Sequence, residues 1–148
     1  MAPSIVTLRE ITRETVRDLC KLEVAAEQRT YVAPVAVSIA EAHFSPEAWF
    51  RAIYVGEEPV GFVMLSLKPE VPDYFLWRLL IDARHQGRGY GRATLDLVVD
   101  HVRALGASEL QTTAVSGEHS PQPFYERYGF VPTGVIEEGE VQLRLVLG

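Results

Sequence analysis

A strand-like run from Tyr74 to Asp82, YFLWRLLID, passes through Ala83, Arg84 and His85 into QGRGYG at Gln86 to Gly91, and an amphipathic helical pattern follows at once. Glycines at 87, 89 and 91 let the backbone approach a ligand closely, and the first turn of a helix carries N–H groups without intrahelical partners. A phosphate would supply those partners. Arg84, His85, Arg88 and Arg92 crowd the same turn in a chain of formal net charge −6. A Walker A loop needs Lys and then Ser or Thr after its last glycine, but Arg92 and Ala93 stand there. The dinucleotide fingerprint G-x-G-x-x-G also fits poorly, because these glycines are each two apart. The competing reading is a tight glycine turn with solvated arginines.

A second segment, PFYERYGF, places Phe124-Tyr125 and then Gly129-Phe130 downstream. With Gln86, Gly89 and Gly91 after a hydrophobic strand, the chain resembles the GNAT superfamily of acetyl-CoA-dependent N-acetyltransferases. The resemblance implies a GNAT fold and acetyl-CoA as cosubstrate. It also implies that Gln86, Gly87, Arg88, Gly89, Tyr90, Gly91 and Arg92 hold the pyrophosphate, with Phe124 beside them. Backbone groups of Leu80, Ile81 and Asp82 would then pair with the pantetheine arm like an added strand. In the same family the Tyr of the Phe-Tyr pair points at the CoA sulfur, which makes Tyr125 the expected general acid. Helical spacing sets Phe124 and Tyr128 on one face and rotates Tyr125 off it; packing at the surface is the alternative.

YVAPVAVSIAEA, Tyr31 to Ala42, with WFRAIY, is similar to bacterial spermine/spermidine-type acetyltransferases. That likeness implies a polyamine acceptor attacking directly in a ternary complex, with Glu41, Asp73 and Trp77 at the acceptor. Other amines remain open, whether an aminoglycoside-like drug, an amino acid or a protein N-terminus, as does a CoA-binding sensor without turnover. The general base is unassigned. Family members often carry a carboxylate on the strand before the loop, but Tyr74 to Ile81 has none, and Trp77 stands where one is expected in some polyamine enzymes. Asp73, Asp82 and Glu41 could each remove a proton through water or attract a cation, and each could equally be a solvated acid. The resemblance also departs at Val35, Glu118 and Pro121. His43, His85, His101 and His119 have no zinc or triad spacing and read mostly as surface residues, so no metal is expected.

These side chains require a scaffold, and the pattern supplies one. Ile5 to Arg9 alternates as a strand, and Thr12 opens a helix to about Ala26 with Val16, Leu19 and Cys20 inward. Ser38 could cap a helix over Ile39 to Phe44. Phe50 to Val55 and Val60 to Leu67 form a hairpin around Gly56-Glu57-Glu58-Pro59. The near-continuous apolar run at Tyr74 to Asp82 suits a central strand covered on both sides. Leu95, Val98, Val99, Val102 and Leu105 make one helical stripe, stopped at Gly106. Leu110 to Val115 is a strand, Ser120-Pro121 opens a helix ending at Gly129, and Val131 to Ile136 with Val141 to Leu147 close as a hairpin. The expected fold is α/β, one mixed, mostly antiparallel sheet of six to seven strands with helices on both faces, in one domain spanning residues 1–148.

Composition narrows the function. Charged residues are 23% and hydrophobic residues 47% of 148, ordinary for one globular domain. An acidic chain without a broad basic face argues against nucleic acid as partner and permits a small-molecule amine. No apolar run is long enough for a bilayer span. Cys20 is the only cysteine, so no intrachain disulfide can form, and a cytoplasmic location is expected. Apolar residues in the last strands leave room for a homodimer.

Overall fold

The computed structural model describes residues 5–148. Its seven strands are β1 (Val6–Arg9), β2 (Ala48–Val55), β3 (Glu58–Lys68), β4 (Asp73–Ile81), β5 (Glu109–Val115), β6 (Val131–Glu137) and β7 (Glu140–Val146). Four α-helices, α1 (Val16–Cys20), α2 (Val35–His43), α3 (Tyr90–Ala104) and α4 (Gln122–Tyr128), complete the fold, with short 3-10 turns at Ala26–Gln28 and Ala83–His85. One sheet runs β1-β2-β3-β4-β5-β7-β6. Every pairing is antiparallel except β4 with β5, the pair joined by the crossover helix α3.

The two faces of the sheet bury different cores. On one, Leu95, Val98, Val99 and Val102 of α3 and Tyr125 of α4 pack on Val63, Leu65, Leu76, Leu110 and Leu143. On the other, Leu19, Leu22 and Val35 pack on Ala52, Tyr54, Phe62, Met64 and Leu80. The expected α3 stripe holds except at Leu105, the C-cap, which is exposed.

The first helix is shorter than its periodicity predicts. It ends at Cys20 because the next backbone groups are taken by β4: Glu23 N–H donates to the Asp82 carboxylate at 3.0 Å, and Ala83 N–H donates to Glu23 C=O at 2.9 Å. Cys20 is exposed, not packed inward. The second helix starts directly after Pro34, so Ser38 is internal and buried, and its hydroxyl donates back to Pro34 C=O at 3.1 Å.

Asp82 therefore fastens the first helical segment to the end of β4. It is 3% exposed and accepts from Glu23 N–H, Arg84 N–H and Arg84 Nε. Burial alone would raise its pKa, but these donors outweigh burial and hold the carboxyl below its ordinary value. A lowered folded pKa stabilises fully above the unfolded value, about 3.9, and the contribution fades as pH falls through the lower folded value. Asp82→Ala should cost about 1–2 kcal/mol by leaving the part-buried Glu23 N–H without its acceptor. In urea titrations from pH 7 downward, Asp82→Asn should show a flatter acid-side loss of stability than the unaltered chain.

Candidate active site

The site begins where the central pairing stops. β4 and β5 are registered only at Phe75↔Gln111 and Leu76↔Thr112. Met64 of β3 faces Arg78 and the next residue, Leu65, faces Leu76, so Trp77 is an extra residue, a β-bulge. The Thr112 hydroxyl donates to Leu76 C=O at 2.9 Å and closes the ladder there. Beyond it lies a cleft of about 1180 Å³ lined from both strands, the glycine loop, α4 and the segment before α2.

Alternation decides which backbone groups face this gap. Asp82 N–H donates to Val60 C=O at 2.8 Å, so Asp82 and Leu80, two residues back and opposite Phe62, direct their polar groups to β3. Leu79 and Ile81 direct theirs to the gap, and both line the cleft. This corrects the expected Leu80-Ile81-Asp82 trio: Leu80 and Asp82 are engaged by β3, Ile81 C=O already accepts from Gln86 Nε2 at 2.9 Å, and Leu79 joins Ile81.

The glycine loop ends at Gly89, the N-cap of α3, with φ +83 and no side-chain cap. The first helical bond is Ala93 N–H to Gly89 C=O at 3.1 Å, which leaves the preceding N–H groups for a ligand. A Cβ built on Gly89 would meet nothing within 4 Å, so the space beside it is open, as the approach of a pyrophosphate requires. At Gly91 the reason differs, since a Cβ would lie 3.0 Å from the Phe124 ring. These features fit the acetyl-CoA expected from the sequence. Gly87, Tyr90 and Arg92 also line the cleft.

The side chains around the loop are less available than their types suggest. Gln86 exchanges amide hydrogen bonds with Gln28 at 3.2 and 2.9 Å, closing the loop without facing an anion. Arg84 is tied to Asp82, and His85 is buried with Nε2 at 3.3 Å from Glu58, so it is no surface histidine. Arg88 is exposed and does not line the cleft; Arg92 and Arg127 do.

The bulge also sorts the acceptor residues. Before it, Tyr74 and Leu76 face the α3 core; after it, Leu79 and Ile81 do, leaving Trp77 and Leu80 toward the α1/α2 core. Arg78 turns the same way and meets Glu41 of α2 at 2.7 Å. Trp77 and Arg78 line the cleft, whereas Glu41 and Asp73 do not. Glu41 is thus paired with Arg78 outside the cleft lining, and Asp73, paired with Lys68, begins β4 at the end remote from the glycine loop.

Tyr125 lies on the opposite, α3 side. It is the buried residue of α4, 6% exposed, and lines the cleft. The helical-face argument is corrected here, because Tyr125 is the more buried residue and Phe124 and Tyr128 are partly exposed. Burial pushes its phenol well above the ordinary value, with the Thr112 hydroxyl acting weakly in the other sense, so the phenol keeps its proton across neutral and mildly alkaline pH. Among the residues that line the cleft, sequence reading did not single out Leu79, Thr112, Tyr31, Arg78 and Glu140. Arg78 had a signal, as the one charge inside an apolar strand; Glu140 looked like an ordinary turn acid.

A seven-stranded mixed sheet that opens beside a glycine loop and a buried tyrosine defines an acyl-CoA-type transferase site. The chain belongs to the acetyltransferase (GNAT) family, whose model matches residues 10–130. It is 40% identical over 55 residues to L-2,4-diaminobutyric acid acetyltransferase of Nocardia farcinica, a match spanning 36% of this chain and 28% of that protein. It is 23% identical to the spermine/spermidine N(1)-acetyltransferase of Bacillus subtilis, across 89% of this chain and 91% of that one. The PaiA N-acetyltransferase of Thermoplasma acidophilum, solved in complex with coenzyme A, shares the fold with a TM-score of 0.74 at 13% identity, covering 96% of this chain and 99% of that one.

Gly89→Val should raise the acetyl-CoA dissociation constant at least tenfold, about 1.4 kcal/mol, by filling the open space and straining a left-handed residue. Calorimetry on a variant shown to be folded by circular dichroism checks this; unchanged affinity places the cradle elsewhere.

Proposed function

We propose that this protein transfers the acetyl group of acetyl-CoA to a primary amine of a small molecule by direct attack in a ternary complex. One observation carries the reading: the gap between β4 and β5 passes through the sheet, with Tyr125 on the α3 side and Trp77 and Arg78 on the α1/α2 side. Thioester and amine can thus approach from opposite faces and meet at the bulge, an arrangement that converts a bimolecular encounter into a positioned one. Tyr125, held protonated by burial, gives its proton to the departing thiolate.

A small acceptor is supported by the roof of the cleft. The Tyr31 hydroxyl packs against Gly117, where a Cβ would collide with it, and accepts from His119 N–H at 3.4 Å. Loops from both sides of the gap meet there, which leaves little passage for a polypeptide.

Within small amines, a polyamine is the first choice, supported by the full-length likeness to the Bacillus subtilis protein. A diamino acid is the second, favoured by Arg78, which lines the cleft with its guanidinium paired to Glu41 and could also receive a carboxylate. Thiol release measured with spermidine, 1,3-diaminopropane and 2,4-diaminobutyrate decides between them. Preference for the carboxylated amine, lost in Arg78→Gln, supports the second reading; indifference to the carboxylate supports the first.

Tyr125→Phe should lower kcat by roughly 10²-fold while acetyl-CoA affinity stays nearly constant, since a general acid acts in the transition state. Activity of the unaltered enzyme should climb from pH 7 to 9 as neutral amine accumulates, with no alkaline decline from Tyr125, whose raised pKa lies beyond that window. Turnover by the Phe variant near that of the unaltered chain would remove Tyr125 from the mechanism.

A further inference from the structure

The acetyltransferase reading needs an acceptor for the amine proton, and the carboxylates first considered are all committed elsewhere. Asp73 lies outside the cleft, Asp82 is locked to Glu23 and Arg84, and Glu41 is paired with Arg78. Among the described residues, Glu140 is the only carboxylate that lines the cleft. It opens β7 directly opposite Val115 of β5. Directly paired residues of antiparallel strands project to the same side, so Glu140 shares the face of Val115 and, two residues earlier, Thr113. The contact agrees: the Thr113 hydroxyl donates to Glu140 Oε1 at 3.3 Å.

That face is the reverse of the one used by Leu110, Ala114 and Tyr125, which belong to the α3 core. It is the face to which the Trp77 bulge turns Arg78. We infer that Glu140 is the general base of this enzyme, taking the amine proton on the α1/α2 side while Tyr125 supplies a proton on the α3 side. The inference rests on the acetyltransferase reading.

The step balances. The lone pair of the neutral amine forms a C–N bond to the thioester carbonyl carbon, and the C–S bond breaks with its electron pair on sulfur. One N–H proton passes to the Glu140 carboxylate, directly or through one water, and the Tyr125 hydroxyl proton passes to the thiolate. Solvent then returns a proton to Tyr125 and removes one from Glu140, so amine and acetyl-CoA yield amide and free thiol. Besides Tyr31, Tyr90 and Tyr125, the other ionisable side chains lining this cleft among the described residues, Arg29, Arg78, Arg92, Arg127, His85 and His119, include one rival base in open position, His119. It sits in a loop, and its side chain makes no hydrogen bond.

The test measures kcat and KM from pH 6.5 to 10 with spermidine and with 2,4-diaminobutyrate, for the unaltered chain, Glu140→Gln, Glu140→Asp and His119→Gln. Calorimetry gives the acetyl-CoA affinity of each. If Glu140 is the base, Glu140→Gln loses roughly 10²-fold in kcat at pH 7, binds acetyl-CoA as before, and narrows its deficit as pH rises and solvent takes over the proton. Glu140→Asp recovers part of the loss. A rise in KM alone would make Glu140 a cation-docking group and overturn the proposal. So would a deficit equal at every pH, or a loss that follows His119→Gln instead. If the unaltered chain binds acetyl-CoA but releases no thiol with any amine, the acetyltransferase reading itself fails and takes the base with it.

Discussion

The site depends on one extra residue in β4. Trp77 has no partner on β3, and its insertion coincides with the last registered pair between β4 and β5. Two parallel strands that stayed in register would spend their backbone groups on each other. Because they part here, Leu79 and the Ile81 N–H face a gap, while Ile81 C=O is held by Gln86; this is a sheet edge made available in the middle of a sheet. An extended ligand arm can use it as a strand would. The bulge also reverses the facing of β4, so the same residue that opens the gap brings Arg78 to the acceptor side.

Around that gap the protein spends much of its polar chemistry on fixing the loop. Gln86 binds Gln28 and Ile81 C=O; Asp82 binds Glu23 and Arg84; the Tyr128 hydroxyl donates to Asp96 at 2.6 Å, linking α4 to α3. The Gln86–Gln28, Asp82–Glu23 and Tyr128–Asp96 contacts span elements distant in sequence. Together they hold the α3 N-terminus, the segment before α2 and α4 in one arrangement, so that binding need not first order them. The cost is that Gln86 of the glycine loop, and Arg84 before it, are already engaged, whereas the backbone N–H groups at the α3 start are not.

Charge is distributed in keeping with this division. In a chain of net charge −6, four arginines and a single carboxylate line the cleft among the described residues. The arginines near α3 and α4 suit an anionic cosubstrate. The other two are moderated by neighbours, Arg78 by Glu41 at 2.7 Å and Arg29 by Glu23 at 4.0 Å, so less positive charge faces that side.

Much of this was legible in the sequence. Periodicity of 2 and 3.6 residues gave the strands and α3, and the glycine spacing with the Phe-Tyr and Gly-Phe pairs gave the family, because those constraints are local: a turn, a helix start, a close ring contact. The failures were those where a distant partner decides. The first helix ends early because Asp82, far along the chain, takes the backbone of Glu23. Glu41 turned out to hold an arginine instead of a cationic substrate, and Leu80 and Asp82 gave way to Leu79, because a bulge shifts alternation by one and leaves no mark in an apolar run. Glu140 joins the cleft only through the pairing of β7 with β5. Sequence fixes what each segment prefers by itself; only tertiary pairing decides which face a strand residue shows and which charges are already spent.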